Sequence, residues 1–293
     1  MRIWKLALLL FLVVVLADSV AAQVQLEFKP PEKFSVELKS EYRRIFRSPK
    51  GEIKDRTEST QVLDFAALKA NADGTRVIEV TIASFKEVGT DDAGKKKENA
   101  HPELEGAVFQ ITLDADLNIT KIDGLDEALK KFDPKVLAKA SSKAYQLSYL
   151  ENVLRFWVGQ VIVPLPAKAV NKGDRWEQKT IRTMSAYGNL KLTKTLTYQG
   201  TEGELHKLGF TTAHAFSQLK QTDVFPFKVV RVSINKADYS GTIYFDAAAG
   251  RIARSESKEL RDLVMTLSYD ALDRDVRVRD EGTSSVRYLD KKP

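Results

Sequence analysis

The sequence predicts a strand-dominated α+β protein, with large curved antiparallel sheets or an open barrel and one main helix covering the concave face. Most of the chain alternates apolar and polar residues with a period of two, as at Phe34, Val36 and Leu38. The predicted strands are long, which favours a curved sheet over a sandwich of short strands. One segment, 134–158, has the length and apolar content of a substantial helix.

The N-terminal segment has the pattern of a secretory signal peptide. Arg2 and Lys5 precede an apolar run from Leu6 to Ala17, and small residues close it at 19–22. The run is shorter than the roughly 20 apolar residues that a transmembrane helix needs, although an uncleaved anchor stays an alternative. We therefore expect residues 1–22 to be removed after Ala22. The mature protein is expected to be periplasmic or secreted and to have no transmembrane span.

The mature chain divides into three segments around the predicted helix. Residues 23–133 form a first antiparallel sheet half, 134–158 the central helix, and 159–293 a second sheet half, which either stands alone or continues the first domain. Alternation predicts strands at 33–46, 53–68, 77–85, 107–113 and 118–122, then at 175–182, 189–198, 206–216, 239–245, 251–260, 263–269 and 276–289. The polar segment 89–101 predicts a long exposed loop.

The central helix is apolar on two sides. Asp133 and Pro134 form a strong helix start, and the second half of the segment carries apolar residues on two arcs separated by polar ones. Such a helix either lies buried between layers or lines an apolar cavity. For the second case the candidate ligand-binding residues are Tyr145, Tyr149, Leu150, Val153, Leu154 and Trp157.

The amino-acid composition excludes several classes of function. The 293 residues include 46 Lys and Arg, 40 Asp and Glu, and no Cys, for a formal net charge of +6. Because opposite charges are interspersed, we expect no nucleic-acid partner. Without Cys there can be no thiol chemistry, Cys-based zinc site or iron–sulfur cluster.

Motifs for catalysis or metal binding are also missing. The sequence has no phosphate-binding loop, dinucleotide fingerprint or nucleophile elbow. His206 and His214 are eight positions apart in one predicted strand, about 26 Å, so they cannot share a metal ion. Asp114, Asp116 and Asn118 resemble the start of a calcium loop but lack its Gly and Glu, so we expect a hairpin turn. No catalytic residue, cofactor or metal ligand is therefore predicted.

Two motifs in the second half of the sequence resemble those of a known family. Lys172-Gly173-Asp174-Arg175-Trp176 opens a predicted strand, and Gly241–Asp246 precedes Gly250-Arg251-Ile252. Both resemble phrases of an uncharacterised family of exported bacterial proteins that has a Lys-Gly-Asp-x-Trp strand opening. The predicted architecture is similar to that of the envelope lipoprotein carriers of the LolA/LolB-like type. That likeness implies a curved antiparallel sheet and helices around an apolar cavity, but it implies no catalytic residues.

These observations favour a non-enzymatic envelope protein with a lipid or other hydrophobic small molecule as its partner. The alternative is a structural or assembly module that binds another envelope protein through a sheet face or edge. A hydrolase would need a convergent polar cluster, and the sequence does not indicate one.

Overall fold

A computed structural model describes residues 23–100, 102–131, 143–183, 188–218, 228–269 and 272–289. They form twelve strands in one antiparallel sheet, with two helices. The strands are β1 (Lys33–Ser48), β2 (Gly51–Ala70), β3 (Arg76–Thr90), β4 (Lys96–Ala100), β5 (Val108–Leu113), β6 (Ile119–Asp123), β7 (Arg175–Thr183), β8 (Gly188–Glu202), β9 (Leu205–Gln218), β10 (Lys228–Asp246), β11 (Arg251–Tyr269) and β12 (Leu272–Leu289). The helices are α1 (Leu125–Leu129) and α2 (Lys143–Val161).

The sheet is open and continuous. Its order is β6-β5-β3-β2-β1-β12-β11-β10-β9-β8-β7, with β4 paired to β3 beside β5. Strands β1 and β12 pair from Ser35↔Leu289 to Arg47↔Arg277, so strands from both segments of the chain belong to one sheet. The two ends of the sheet approach each other, since Gln178 of β7 donates a hydrogen bond of 3.2 Å to Asn118 in the β5–β6 turn.

The predicted strands are largely confirmed, with three corrections. The segment expected to be an exposed loop contains a tight turn at 91–94 and then β4, which pairs with β3. Strand β10 begins at Lys228, earlier than predicted, and the strands predicted at 251–260 and 263–269 are one strand, β11. Helix α2 continues to Val161, whereas the predicted helix start falls within 132–142, which lies outside the described residues.

Helix α2 packs against one face of the first half of the sheet. Leu150, Leu154 and Trp157 are buried in a core with inward residues of β1, β2, β3 and β5. The same face continues across β12, where Ser284 donates a hydrogen bond of 2.9 Å to the side-chain oxygen of Gln160. One flank of α2 is thus sealed by apolar packing, and a polar contact fixes the helix at the middle of the sheet.

The chain after α2 forms a second core on β8–β11. Val163 and Val170 pack there with Leu26 of the N-terminal segment. Trp176 opens β7, packs against this core and donates from its indole nitrogen to the Pro164 carbonyl at 3.0 Å. The turn before it has Gly173 at φ 98°, a conformation that glycine adopts without steric cost. The Gly and Trp of the Lys-Gly-Asp-x-Trp motif therefore have structural roles at the start of a strand.

Candidate functional site

A cavity of about 680 Å³ lies between the other flank of α2 and the second half of the sheet. Its walls come from α2, β7, β8, β9, β10, β11 and the β5–β6 turn. We call it the helix–sheet cavity. The apolar flank of α2 packs against the first half of the sheet, and the cavity lies beside the opposite, more polar flank.

The helix wall is built by residues at helical spacing. Ser148, Asn152, Arg155 and Gly159 line the cavity, and each lies three or four positions from the next. The core residues of α2 occupy the opposite arc of the helix. Phe156 adds an aromatic ring to the wall, whereas a Cβ built on Gly159 would meet no atom within 4 Å. Open space therefore lies beside this glycine.

The sheet wall follows the strand alternation. Leu190, Leu192 and Lys194 are alternate residues of β8 and point to the same face, and all three line the cavity. Lys194 pairs with Gln178 of β7 and with Thr212 of β9. A row of polar side chains therefore crosses β7, β8 and β9 beside the apolar residues Leu190 and Leu192.

Lys194 is the most unusual residue of this wall. Its ammonium nitrogen lies 4.8 Å from the centre of the Phe210 ring and 5.8 Å from that of Tyr239. Among the described residues it has neither an ion pair nor a hydrogen bond, so only the two rings contact the charge. Burial disfavours the charged form and lowers the pKa of Lys194 to about 8.

A second polar group beside Lys194 also lacks a partner. The Thr212 hydroxyl oxygen is buried and forms no hydrogen bond within the described part of the chain. Directly opposite residues on antiparallel strands have Cβ atoms about 5 Å apart. The Lys194 ammonium and the Thr212 hydroxyl are thus neighbouring donors on one face, and both line the cavity.

The other cations of the wall have carboxylate partners. Arg155 pairs with Glu151 at 2.7 Å and also donates to the Ile119 carbonyl. Lys179 lies 3.7 Å from Glu177. Arg261 donates to Asp280, whose other oxygen accepts from Arg44 at 2.7 Å. Although burial acts to raise it, the charges and hydrogen bonds of Arg261 and Arg44 hold the pKa of Asp280 below its usual range.

The wall also contains three acidic residues, of which Glu151 pairs with Arg155. Glu259 of β11 pairs in register with Tyr239, and Asp238 precedes that tyrosine in β10. Neither forms an ion pair with Lys194. The wall therefore carries charge of both signs, and Lys194 is distinguished by contacts to aromatic rings in place of a carboxylate.

Five of the six residues proposed from the sequence have described side chains, and these lie elsewhere on α2. Leu150, Leu154 and Trp157 are in the core against the first sheet half, with Val153 packed beside them. Tyr149 is 60% exposed, and the side chain of Tyr145 lies outside the described residues. The five described side chains do not line the helix–sheet cavity. Their role in binding a ligand stays a prediction.

Sequence reasoning missed the residues on the sheet side, although β8 contains a signal for them. Its inward positions read Leu190, Leu192, Lys194, Leu196 and Tyr198, so one lysine interrupts an apolar alternation. A cation at an inward position of a strand is uncommon unless it is paired or functional. That interruption is visible without a structure.

The other motifs have structural roles. Asp114 accepts hydrogen bonds from the backbone N–H groups of Asp116 and Asn118, at 3.0 and 2.8 Å, as a hairpin turn requires. His206 Nδ1 lies 2.9 Å from the Tyr198 hydroxyl, and burial lowers the pKa of this histidine. Across the described ranges, His and acidic residues do not cluster as metal ligands would.

Comparison with known proteins places the chain in a family. The sequence model of a family of unknown function, DUF6263, matches residues 63–252. The chain belongs to this family. The matched region contains α2 and most of the wall of the helix–sheet cavity. No curated protein matches the chain.

Solved structures give only distant likenesses. A lipovitellin structure described by its lipid–protein interactions has 13% identity and a TM-score of 0.45, over 90% of this chain and 25% of that one. DynF of the dynemicin biosynthesis pathway of Micromonospora chersina has 8% identity and a TM-score of 0.21, covering 90% and 85% of the two chains. The chain thus spans about a quarter of the lipovitellin chain. In the part of the chain that the structure describes, neither helix is long and apolar enough to span a membrane.

Proposed function

We propose that this protein is a non-catalytic binding protein of the bacterial cell envelope, and that it holds a lipid or another hydrophobic molecule in the helix–sheet cavity. The observation that carries the proposal is the cavity itself. Its volume of about 680 Å³ lies within the roughly 300–1,000 Å³ that ligand pockets occupy.

The composition of the wall supports an amphiphilic or apolar occupant. Leu190, Leu192, Ile162 and Phe156 offer hydrocarbon and aromatic surface, and polar and charged side chains lie among them. Sites for small molecules combine apolar surface with polar groups that fix the orientation of the ligand. In this proposal α2 covers the concave face of the sheet, and its polar flank forms one side of the binding site.

The N-terminal segment supports a location outside the cytoplasm. Residues 1–22 have the charge, apolar run and small-residue exit of a cleaved signal peptide. A hydrophobic molecule in an aqueous compartment needs a protein that shields it from water. Export of a chain with an apolar cavity therefore suits carriage or sensing of a lipid in the periplasm.

Gly159 allows a direct test. A side chain at this position would project into the cavity, because a Cβ there meets no atom within 4 Å. The Gly159→Leu variant should fill part of the cavity, whereas Gly159→Ala is the matched control, which favours the helix similarly but adds little volume. Binding is measured for mature wild type and both variants with the uncharged fluorescent probe N-phenyl-1-naphthylamine.

We expect wild type and Gly159→Ala to bind the probe with similar affinity, and Gly159→Leu to bind at least tenfold more weakly. Circular dichroism checks that all three chains are folded. Equal binding by Gly159→Leu and Gly159→Ala would show that the probe occupies another site. No binding by any of them would contradict the proposal and favour the alternative, a module that assembles with another envelope protein.

A further inference from the structure

An unpaired polar pair lies in the sheet wall of the helix–sheet cavity. Lys194 and Thr212 face each other across β8 and β9, and both line the helix–sheet cavity. Neither the ammonium nor the hydroxyl has a hydrogen-bond partner among the described residues, apart from the two rings near Lys194. Buried polar groups are normally satisfied, so an unpaired adjacent pair requires an explanation.

Charge pairing does not supply that explanation within the protein. The neighbouring cations Arg155, Lys179 and Arg261 each have a carboxylate within ion-pair distance. Of the acidic residues of the wall, Glu151 pairs with Arg155, and neither Glu259 nor Asp238 forms an ion pair with Lys194. A partly buried ammonium is costly unless an anion or hydrogen-bond acceptors approach it. An anion or acceptor that enters the cavity would satisfy both groups.

We propose that Lys194 and Thr212 bind the anionic head group of an amphiphile whose hydrocarbon part occupies the helix–sheet cavity. The inference rests on the proposed function and specifies the class of ligand. A carboxylate or a phosphate oxygen fits the two donors equally well, because an ammonium and a hydroxyl both donate to either. The head group is the part that confers selectivity, since apolar walls discriminate weakly among hydrocarbon chains.

Three lipids and one ion separate the possible ligands. Oleate carries a carboxylate, 1-oleoyl lysophosphatidate carries a phosphate, and oleyl alcohol has the same hydrocarbon chain without charge. Inorganic phosphate supplies the anion alone. Each is titrated against mature protein with bound N-phenyl-1-naphthylamine, and the displacement midpoint is recorded for wild type, Lys194→Met and Thr212→Val.

The variants remove one group each and keep the shape of the side chain. Lys194→Met removes the charge, and we expect it to weaken oleate or lysophosphatidate binding by at least about tenfold. Thr212→Val removes the hydroxyl and should weaken the same lipid by about threefold. Oleyl alcohol should bind all three proteins alike. Lys191→Met is the matched control, since Lys191 is exposed on the opposite face of β8.

The outcomes are distinguishable. The inference is supported if wild type binds oleate or lysophosphatidate more tightly than it binds oleyl alcohol, and if Lys194→Met removes this difference in affinity. The lipid that binds more tightly then identifies the head group. Equal binding of oleate, lysophosphatidate and oleyl alcohol to wild type and Lys194→Met would overturn the inference while leaving the proposed function intact. If inorganic phosphate competes as strongly as the lipids, Lys194 and Thr212 bind a free anion, and the inference is overturned. No binding of any lipid would overturn both proposals.

Discussion

Replacing Lys194 by methionine removes a charge from the wall of the helix–sheet cavity and keeps an unbranched chain of similar length. Most large-to-small or charge-removing changes at inward positions destabilise a protein. Here we expect the reverse for the ligand-free protein. The charge has no ion pair among the described residues, and burial lowers the pKa of Lys194 to about 8 from 10.5.

The magnitude follows from the pKa difference. A shift of this size corresponds to about 3 kcal/mol of destabilisation of the charged form at pH 7. The methionine also loses the interaction of the ammonium with the Phe210 and Tyr239 rings, which contributes about 1 kcal/mol. The net expectation is that Lys194→Met raises the free energy of unfolding by about 2 kcal/mol.

The sign of the pH dependence gives an independent check. Because the folded pKa lies below the unfolded value, the unfolded chain binds more protons between about pH 8 and 10.5. The stability of wild type therefore gains relative to Lys194→Met as the pH rises through this window. The advantage of the variant should be largest at pH 7 and should nearly disappear by about pH 10.

Urea unfolding of delipidated mature protein, followed by circular dichroism at pH 7 and pH 10, measures both effects. Lys191→Met serves as control and should change stability by less than about 0.5 kcal/mol at either pH. A Lys194→Met variant that is less stable than wild type at pH 7 would refute the reasoning. It would mean that the ammonium has a stabilising partner in the folded protein.

Two further predictions concern the framework of the sheet. Asp280→Asn should lower the free energy of unfolding by about 3 kcal/mol, because it leaves Arg44 and Arg261 without their shared carboxylate. Since the pKa of Asp280 is held low, wild type should lose this advantage as the pH falls below about 4. Equal urea midpoints of wild type and variant at pH 7 would contradict the assignment. Leu154→Ala should lower the free energy of unfolding by about 2–5 kcal/mol, because it opens a void between α2 and the first sheet half. Exposed Leu272→Ala is the near-neutral control in the same thermal unfolding series, and equal losses in the two variants would contradict the assignment.

The strands could be predicted from the sequence because one face of the sheet is buried. Alternate apolar residues such as Val36 and Leu38 point to that buried face, so the sequence shows a period of two. The segment 96–100 could not be identified in this way, because β4 is short, charged and at the side of the sheet. The sequence predicts two strands in place of β11, because Arg261 and Asp262 interrupt the alternation. Both residues form ion pairs that sequence alone does not reveal.

The position of the helix–sheet cavity could not be predicted from the sequence. Helix α2 has apolar residues on more than one side, and its spacing cannot say which side packs against the sheet. The structure places Leu154 in the core and Gly159 at the cavity, on nearly opposite sides of the helix. The pairing of Lys194 with Thr212 depends on the register of β8 and β9, which is set by the connection between them.

The most direct test of the account is the mass of the protein as it is purified from cells, with any bound lipid retained. The full chain is expressed with its own N-terminal segment, purified without detergent and examined by native mass spectrometry and by lipid extraction. We predict a mass for residues 23–293 plus one lipid with an acidic head group, and loss of that lipid in Gly159→Leu but not in Gly159→Ala. A protein mass with no adduct, both as purified and after incubation with oleate or oleyl alcohol, would contradict the account.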